Sequence, residues 1–166
     1  MSSLRASPAA VAPSLTPLGV LVVDDQRVVR EGLARLISCG LPALRFVAIA
    51  ANAAEAREAA ARLGPEVIVL DVDLDGDDGL ALIPSLRPHA AILVLTSHGD
   101  AATRARAEQL GADAFLEKHM PAADLLAALE RLGHLQRRGE KPPVSPCASS
   151  LPTVCATSAA PTRRRP

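Results

Sequence analysis

The stretch DVDLDGDDG, Asp71 to Gly79, decides how this chain of 166 residues is read. Five of its nine residues are aspartates. Two readings compete. In the first, Asp-x-Asp-x-Asp-Gly opens a calcium loop of the EF-hand type. In the second, Asp71 ends a strand and is one corner of a larger site. The loop reading fails on its own spacing. Asp71, Asp73, Asp75 and Gly76 fit loop positions 1, 3, 5 and 6, but position 12 calls for a bidentate glutamate and is Leu82. The segment before it, Val67-Ile68-Val69-Leu70, reads as a strand rather than a helix.

Outward from this stretch, strand and helix signals alternate. Val20-Leu21-Val22-Val23 is a short apolar run that ends in Asp24-Asp25. Val29, Leu33 and Leu36 then mark one face of a helix from about Gln26 to Ser38, closed by Gly40. Arg45 to Ala50 reads as a second strand, and Asn52 with Glu55 forms a capping box for an alanine-rich helix that Gly64-Pro65 ends. After the third strand and Asp71, Leu80 to Leu86 reads as a short helix kinked or cut by Pro84. Ile92 to Leu95 is a fourth strand delivering Thr96; Asp100 caps a helix that Gly111 stops. Ala114-Phe115-Leu116 is a fifth strand, followed by Lys118, and Pro121 opens a helix with Leu125, Leu129 and Leu132 on one face. Continuous rather than alternating apolar strands predict a parallel sheet with helices on both faces, an α/β fold of five βα units.

Ligands in such sheets bind at the carboxyl ends of the strands. The polar groups found there are Asp24 and Asp25, Asp71, Thr96 and Lys118. Three carboxylates held together repel unless a proton or a cation intervenes. A hard dication with oxygen ligands, Mg²⁺ above all, answers that repulsion and commonly shares a phosphate. A phosphoryl group gives Lys118 an anion to pair with and the Thr96 hydroxyl an acceptor. A carboxylate such as Asp71 can itself serve as nucleophile and become an aspartyl phosphate.

These residues resemble the receiver domain of two-component response regulators, and VVDDQRVVREGLARLI (Val22 to Ile37) is similar to the opening of NarL/LuxR-type receivers. The resemblance rests on the acidic pair, Asp71 with Leu74 and Asp78-Gly79 behind it, Thr96 and Lys118, with Phe115 where the family carries its aromatic switch residue. It covers residues 19 to about 133. It implies a flavodoxin-like, doubly wound (βα)5 fold with a five-stranded parallel sheet in the order 2-1-3-4-5. It implies that Asp71 accepts a phosphoryl group from a sensor histidine kinase or phosphotransfer protein. Mg²⁺ would be held by Asp25, Asp71 and the main-chain carbonyl of Asp73, with Asp24 acting through water. Lys118 would pair with the phosphoryl group. Thr96 and then Phe115 would shift and alter the face made by the fourth and fifth helices, through which similar receivers form homodimers. Phe115 also reads simply as core. Such a protein is cytoplasmic and is not an enzyme beyond its own phosphorylation and dephosphorylation. A receiver that never takes phosphate and serves as a dimerisation or docking module is the alternative. Two departures stand out. Asp75 replaces a frequent proline, and His119 replaces the proline that often follows the lysine, so no cis bond is expected there.

Composition bounds the rest. There is no Trp or Tyr and only two Phe, so the core must be built from Leu, Val, Ile and Ala. Cys39, Cys147 and Cys155 show neither metal spacing nor a disulfide framework; Cys39 reads as small core packing. His89, His98, His119 and His134 share no metal spacing and read as surface residues. No apolar run is long enough for a membrane helix or a signal peptide, which argues against a membrane partner. Residues 1–17 read as a disordered leader, 18–133 as the folded domain and 134–166 as a disordered tail rich in Pro, Ser and Arg. The first 133 residues carry twelve Lys/Arg and seventeen Asp/Glu, a net of −5, and the remainder six and one, a net of +5. No helix-turn-helix, the DNA-reading half usual in NarL/LuxR-type regulators, can be drawn in the tail. That composition also suits a gene truncated or shifted in frame.

Overall fold

The computed structural model describes residues 17–139. The expectations for the leader and for the tail beyond residue 139 lie outside the described residues. Five strands and five helices alternate: β1 (Leu18–Val23), α1 (Arg27–Gly40), β2 (Leu44–Ala50), α2 (Ala53–Leu63), β3 (Val67–Leu70), α3 (Ile83–Leu86), β4 (Ala91–Thr96), α4 (Ala101–Leu110), β5 (Ala114–Glu117) and α5 (Ala122–Arg138). The strands form one parallel sheet in the order β2-β1-β3-β4-β5. This is the flavodoxin-like order. Every residue of β1, β3 and β4 is buried, which is why these strands read as unbroken apolar runs.

The pleat sends alternate residues into two cores. Leu21, Val23, Ile68, Leu70, Ile92 and Val94 face one side, where Ala56, Ile83, Ala107 and Phe115 meet them. Val20, Val22, Val67, Val69, Leu93 and Leu95 face the other, against Ile37, Leu125 and Leu129. One phenylalanine, Phe115, takes part in a core otherwise made of aliphatic residues.

Most helix signals hold, although Gly40, expected to close α1, is its last helical residue and the C-cap is Leu41 in an extended conformation. The Asn52 side chain accepts from the Glu55 N–H, and Glu55 in return accepts from the backbone N–H of Ala51 and from the Asn52 amide. Gly64 and Gly111 both end their helices in the left-handed conformation. The third helix is reduced, as Pro84 suggested. A 3₁₀ turn over Gly79–Leu82 runs into the single α-turn of α3.

Two expectations are corrected. Cys39 is exposed and free rather than part of the core. It stands two residues beyond the buried Ile37, about 200° further round the helix, and so faces out. The boundary expected at residue 133, with a disordered tail from 134, moves: the last helix continues to Arg138 and closes on Gly139 with φ +67°. Gly133 is buried inside it, where an added Cβ would lie 2.4 Å from Leu18 Cδ1. That glycine serves close packing against Leu18. All four histidines are exposed, and no described peptide bond is cis.

The two cores should therefore carry the stability. Ile92→Ala, at a fully buried position, is expected to cost about 2–5 kcal/mol, whereas Val28→Ala, at a side chain 84% exposed, should stay within about 0.5 kcal/mol. Urea unfolding followed by circular dichroism measures both, since the chain has no Trp or Tyr to report by fluorescence.

Candidate functional site

Register builds the site. Val23 of β1 lies beside Leu70 of β3, so the next residues, Asp24 and Asp71, emerge side by side at the carboxyl edge. Both remain tied to the ladder: Asp24 N–H donates to Ala50 O at 3.2 Å and Asp71 N–H to Val23 O at 3.0 Å. On the other flank Thr96 pairs with Glu117, and Lys118 N–H donates to Thr96 O at 2.7 Å. Asp24, Asp71 and Thr96 are the only buried polar or charged residues among the described ones.

The carboxylates of Asp24, Asp25 and Asp71 offer oxygens within 4.8 Å of one another. Lys118 Nζ bridges two of them, 2.7 Å from Asp24 Oδ2 and 2.6 Å from Asp71 Oδ2. Sequence reasoning gave this lysine an incoming anion; here it already pairs with both Asp24 and Asp71. Asp71 Oδ1 accepts from the Val72 N–H, and Asp24 Oδ1 from the Gln26 N–H. Burial pushes the Asp71 carboxyl above the usual carboxylate range; Lys118 and the Val72 N–H pull it down and do not win. For Lys118 burial works to lower the pKa, but the hydrogen bonds and charges of Asp24 and Asp71 outweigh it and raise the pKa above the ordinary lysine value.

Three carboxylates against one ammonium leave a formal charge of −2. Lys118 touches Asp24 and Asp71; within the described residues the Asp25 carboxylate has no ion-pair partner. An all-oxygen donor set with that charge suits a hard divalent cation. The Asp73 side chain is not in the cluster. It is exposed, and its Oδ1 accepts from the Gly76 N–H at 3.3 Å.

The opening stretch folds as a hairpin behind Asp71. Asp73–Leu74 pairs antiparallel with Asp77–Asp78, and Asp75 and Gly76 form the turn with φ +54° and +84°. Positive φ at both turn residues is the type I′ pattern for which Asp-Gly is favoured. A proline at position 75 is incompatible with that turn, because its ring fixes φ near −65°. Gly79 closes the loop over Asp71: its N–H donates to Val72 O at 2.7 Å, and a Cβ there would sit 2.0 Å from the Asp71 carbonyl oxygen.

Thr96 and Phe115 are placed less directly. The Thr96 hydroxyl lies 3.3 Å from the His98 N–H and 3.4 Å from the His98 carbonyl, so it bonds within its own loop. Phe115 points into the core, with the Arg104 guanidinium of α4 stacked 4.5 Å above its ring centroid. A second arginine of α4, Arg106, ion-pairs with Asp78 of the hairpin. Neither arginine stood out in the sequence, where α4 shows no clear apolar stripe to fix its orientation.

The chain belongs to the response regulator receiver family: the sequence model of the response regulator receiver domain matches residues 20–130. It is similar to the transcriptional regulatory protein LnrK of Bacillus subtilis (strain 168), at 36% identity over 113 residues, 66% of this chain and 51% of LnrK. The structure of a two-component response regulator of the LuxR family from Aurantimonas sp. SI85-9A1 overlays with a TM-score of 0.67 at 31% identity, covering 76% of this chain and 89% of that one. A response regulator from Burkholderia pseudomallei, solved with a phosphorylated aspartic acid, calcium ion and citrate, overlays with a TM-score of 0.61 at 36% identity, covering 74% and 72%. The chain spans about half the length of LnrK and about a third to three-fifths of other curated relatives. No described helix is long and apolar enough to cross a membrane.

Removing the lysine tests the electrostatics. Lys118→Ala strands two buried carboxylates and should destabilise the metal-free protein by roughly 3 kcal/mol in urea unfolding. In an Asp71→Asn background the same substitution should cost less, because one of the two charges is gone. Because the folded-state pKa of Lys118 is raised, its contribution is complete below the unfolded value of about 10.4 and is lost as pH rises through the folded value.

Proposed function

We propose that this receiver takes a phosphoryl group on Asp71 from a sensor histidine kinase or phosphotransfer protein and, in response, changes a protein-binding face. The observation that carries this reading is Asp71 itself. It is buried at the carboxyl edge of the central strand, bonded to Lys118 and clustered with two further carboxylates. A structural relative bears a phosphorylated aspartic acid together with a metal ion, which supports the same chemistry here. In the transfer step an Asp71 carboxylate oxygen attacks phosphorus while the P–N bond to the donor imidazole breaks, its electron pair remaining on the imidazole.

Asp25, Asp71 and the Asp73 main-chain carbonyl would hold Mg²⁺, with Asp24 acting through water. When bound, Mg²⁺ supplies the positive charge that offsets the clustered acids and the phosphoryl oxygens. Lys118 pairs with the phosphoryl group, leaving part of its bond to the acids. Thr96 exchanges its contact with His98 for one to the phosphoryl group, and Phe115 follows. The face formed by α4, β5 and α5 then carries the signal, through a homodimer or a partner protein. This role belongs to the cytoplasm, and its lineage is that of LuxR-type transcriptional regulators. The chain acts as a phosphoacceptor rather than as an enzyme on other substrates.

Incubation with a small-molecule phosphodonor and Mg²⁺, read by intact mass, tests the proposal. The expected result is a gain of one phosphoryl group that requires Mg²⁺ and is absent in Asp71→Asn. A folded chain that gains nothing would instead be a docking module.

A further inference from the structure

The loop that carries the acidic pair is held by a residue with no part in the chemistry above. Arg30, on the second turn of α1, folds its side chain back over the start of its own helix. Its Nη1 donates to the main-chain carbonyl of Asp24 at 2.5 Å and to that of Asp25 at 3.2 Å. One guanidinium nitrogen thus pins both peptide units whose side chains enter the cluster. Asp24 is fixed a second time by the bond from its Oδ1 to the Gln26 N–H.

This arrangement works against the helix. The N-terminus of α1 has no acidic residue in its first turn and no side-chain cap on Gln26, while Arg27 and Arg30 lie at or near that end. Cations there oppose the helix dipole. Arg27 is turned outward to Glu31, its i+4 neighbour. Arg30 is turned inward to the carbonyls instead, and it is half-buried. Its charge also lies near a cluster meant for a cation and opposes cation binding by simple electrostatics. The geometry is explained by what the bonds hold in place.

We propose that Arg30 is a positioning residue for the cation site, fixing the Asp24-Asp25 backbone so that both carboxylates are presented toward Asp71. The inference rests on the reading that this cluster binds Mg²⁺. Positioning and charge predict opposite effects of removing the side chain. If Arg30 acted only through its charge, Arg30→Ala would tighten Mg²⁺. If it acts by holding the carbonyls, Arg30→Ala should weaken Mg²⁺ about tenfold, as loss of a group that orients metal ligands commonly does. Arg30→Lys, which keeps a donor and the charge but not the fork, should fall between.

The experiment is calorimetric titration of the full chain with MgCl₂ for wild type, Arg30→Ala and Arg30→Lys, with circular dichroism confirming the fold of each. Amide hydrogen exchange at Asp24 to Arg27 is measured in parallel without metal. The expected result is weaker Mg²⁺ in the order wild type, Lys, Ala, with faster exchange in that segment for Arg30→Ala. Equal or tighter binding by a folded Arg30→Ala overturns the proposal while leaving the Mg²⁺ reading intact. A wild-type chain that takes up no Mg²⁺ overturns the Mg²⁺ reading, and this proposal with it. Should Arg30→Ala not fold, Arg30→Lys decides: undiminished binding by that variant overturns the proposal.

Discussion

Mutual repulsion among Asp24, Asp25 and Asp71 is the constraint to which the rest of this molecule answers. Burial sharpens it, since carboxylates removed from water lose the solvent that screens them. Two arrangements contain it. Lys118 reaches in from the far side and bridges two of the acids. The backbone is fixed at every corner: β1 by its ladder bonds and Arg30, β3 by the Val72 N–H and the tight approach of Gly79, and β5 by the bond from Lys118 to Thr96. A loosely held loop would let the acids swing apart into solvent, and the cluster would dissolve.

The parallel sheet makes the cluster possible. All five strands run the same way, so all their carboxyl ends meet at one edge. The strand order then decides which ends are neighbours. β3 lies between β1 and β4, placing Asp71 between the acidic pair and Thr96, with Lys118 arriving from the edge strand beyond. The helices pack against both faces of the sheet, and two of them reach the site: α1 through Arg30 and α4 through Arg106 on the hairpin.

Much of this was legible in the residues, for a physical reason. Central strands of a covered parallel sheet are apolar on both faces, so VIVL and ILVL stand out as runs, and the first polar residue after each is at the functional edge. Turn and cap chemistry was equally local: Asn52 with Glu55, Asp100 and Gly111 behaved as their types require. What escaped depended on three dimensions. The resting partners of Lys118 lie 94 and 47 residues away in sequence and cannot be read from spacing. The hairpin within Asp71 to Gly79 was masked by its aspartates, although Asp75-Gly76 carried the turn signal. Arg30 carries no signal in the sequence, because its bonds go to main-chain carbonyls, which no residue pattern marks. The last turn of α5 escaped because His134, Gln136, Arg137 and Arg138 are polar and run into a proline-rich tail.

The sequence separation of those partners has a consequence for assembly. Pairing of β1 with β3 is enough to set Asp24 beside Asp71, and it asks nothing of β5. Lys118 belongs to the last strand, at the edge of the sheet. Any partly formed chain that has joined the first pair without the last strand holds adjacent carboxylates and no ammonium. For that species, protons and dissolved cations are the available counter-charge. Docking of the edge strand then brings the missing ammonium to the acids in the same step that buries Phe115.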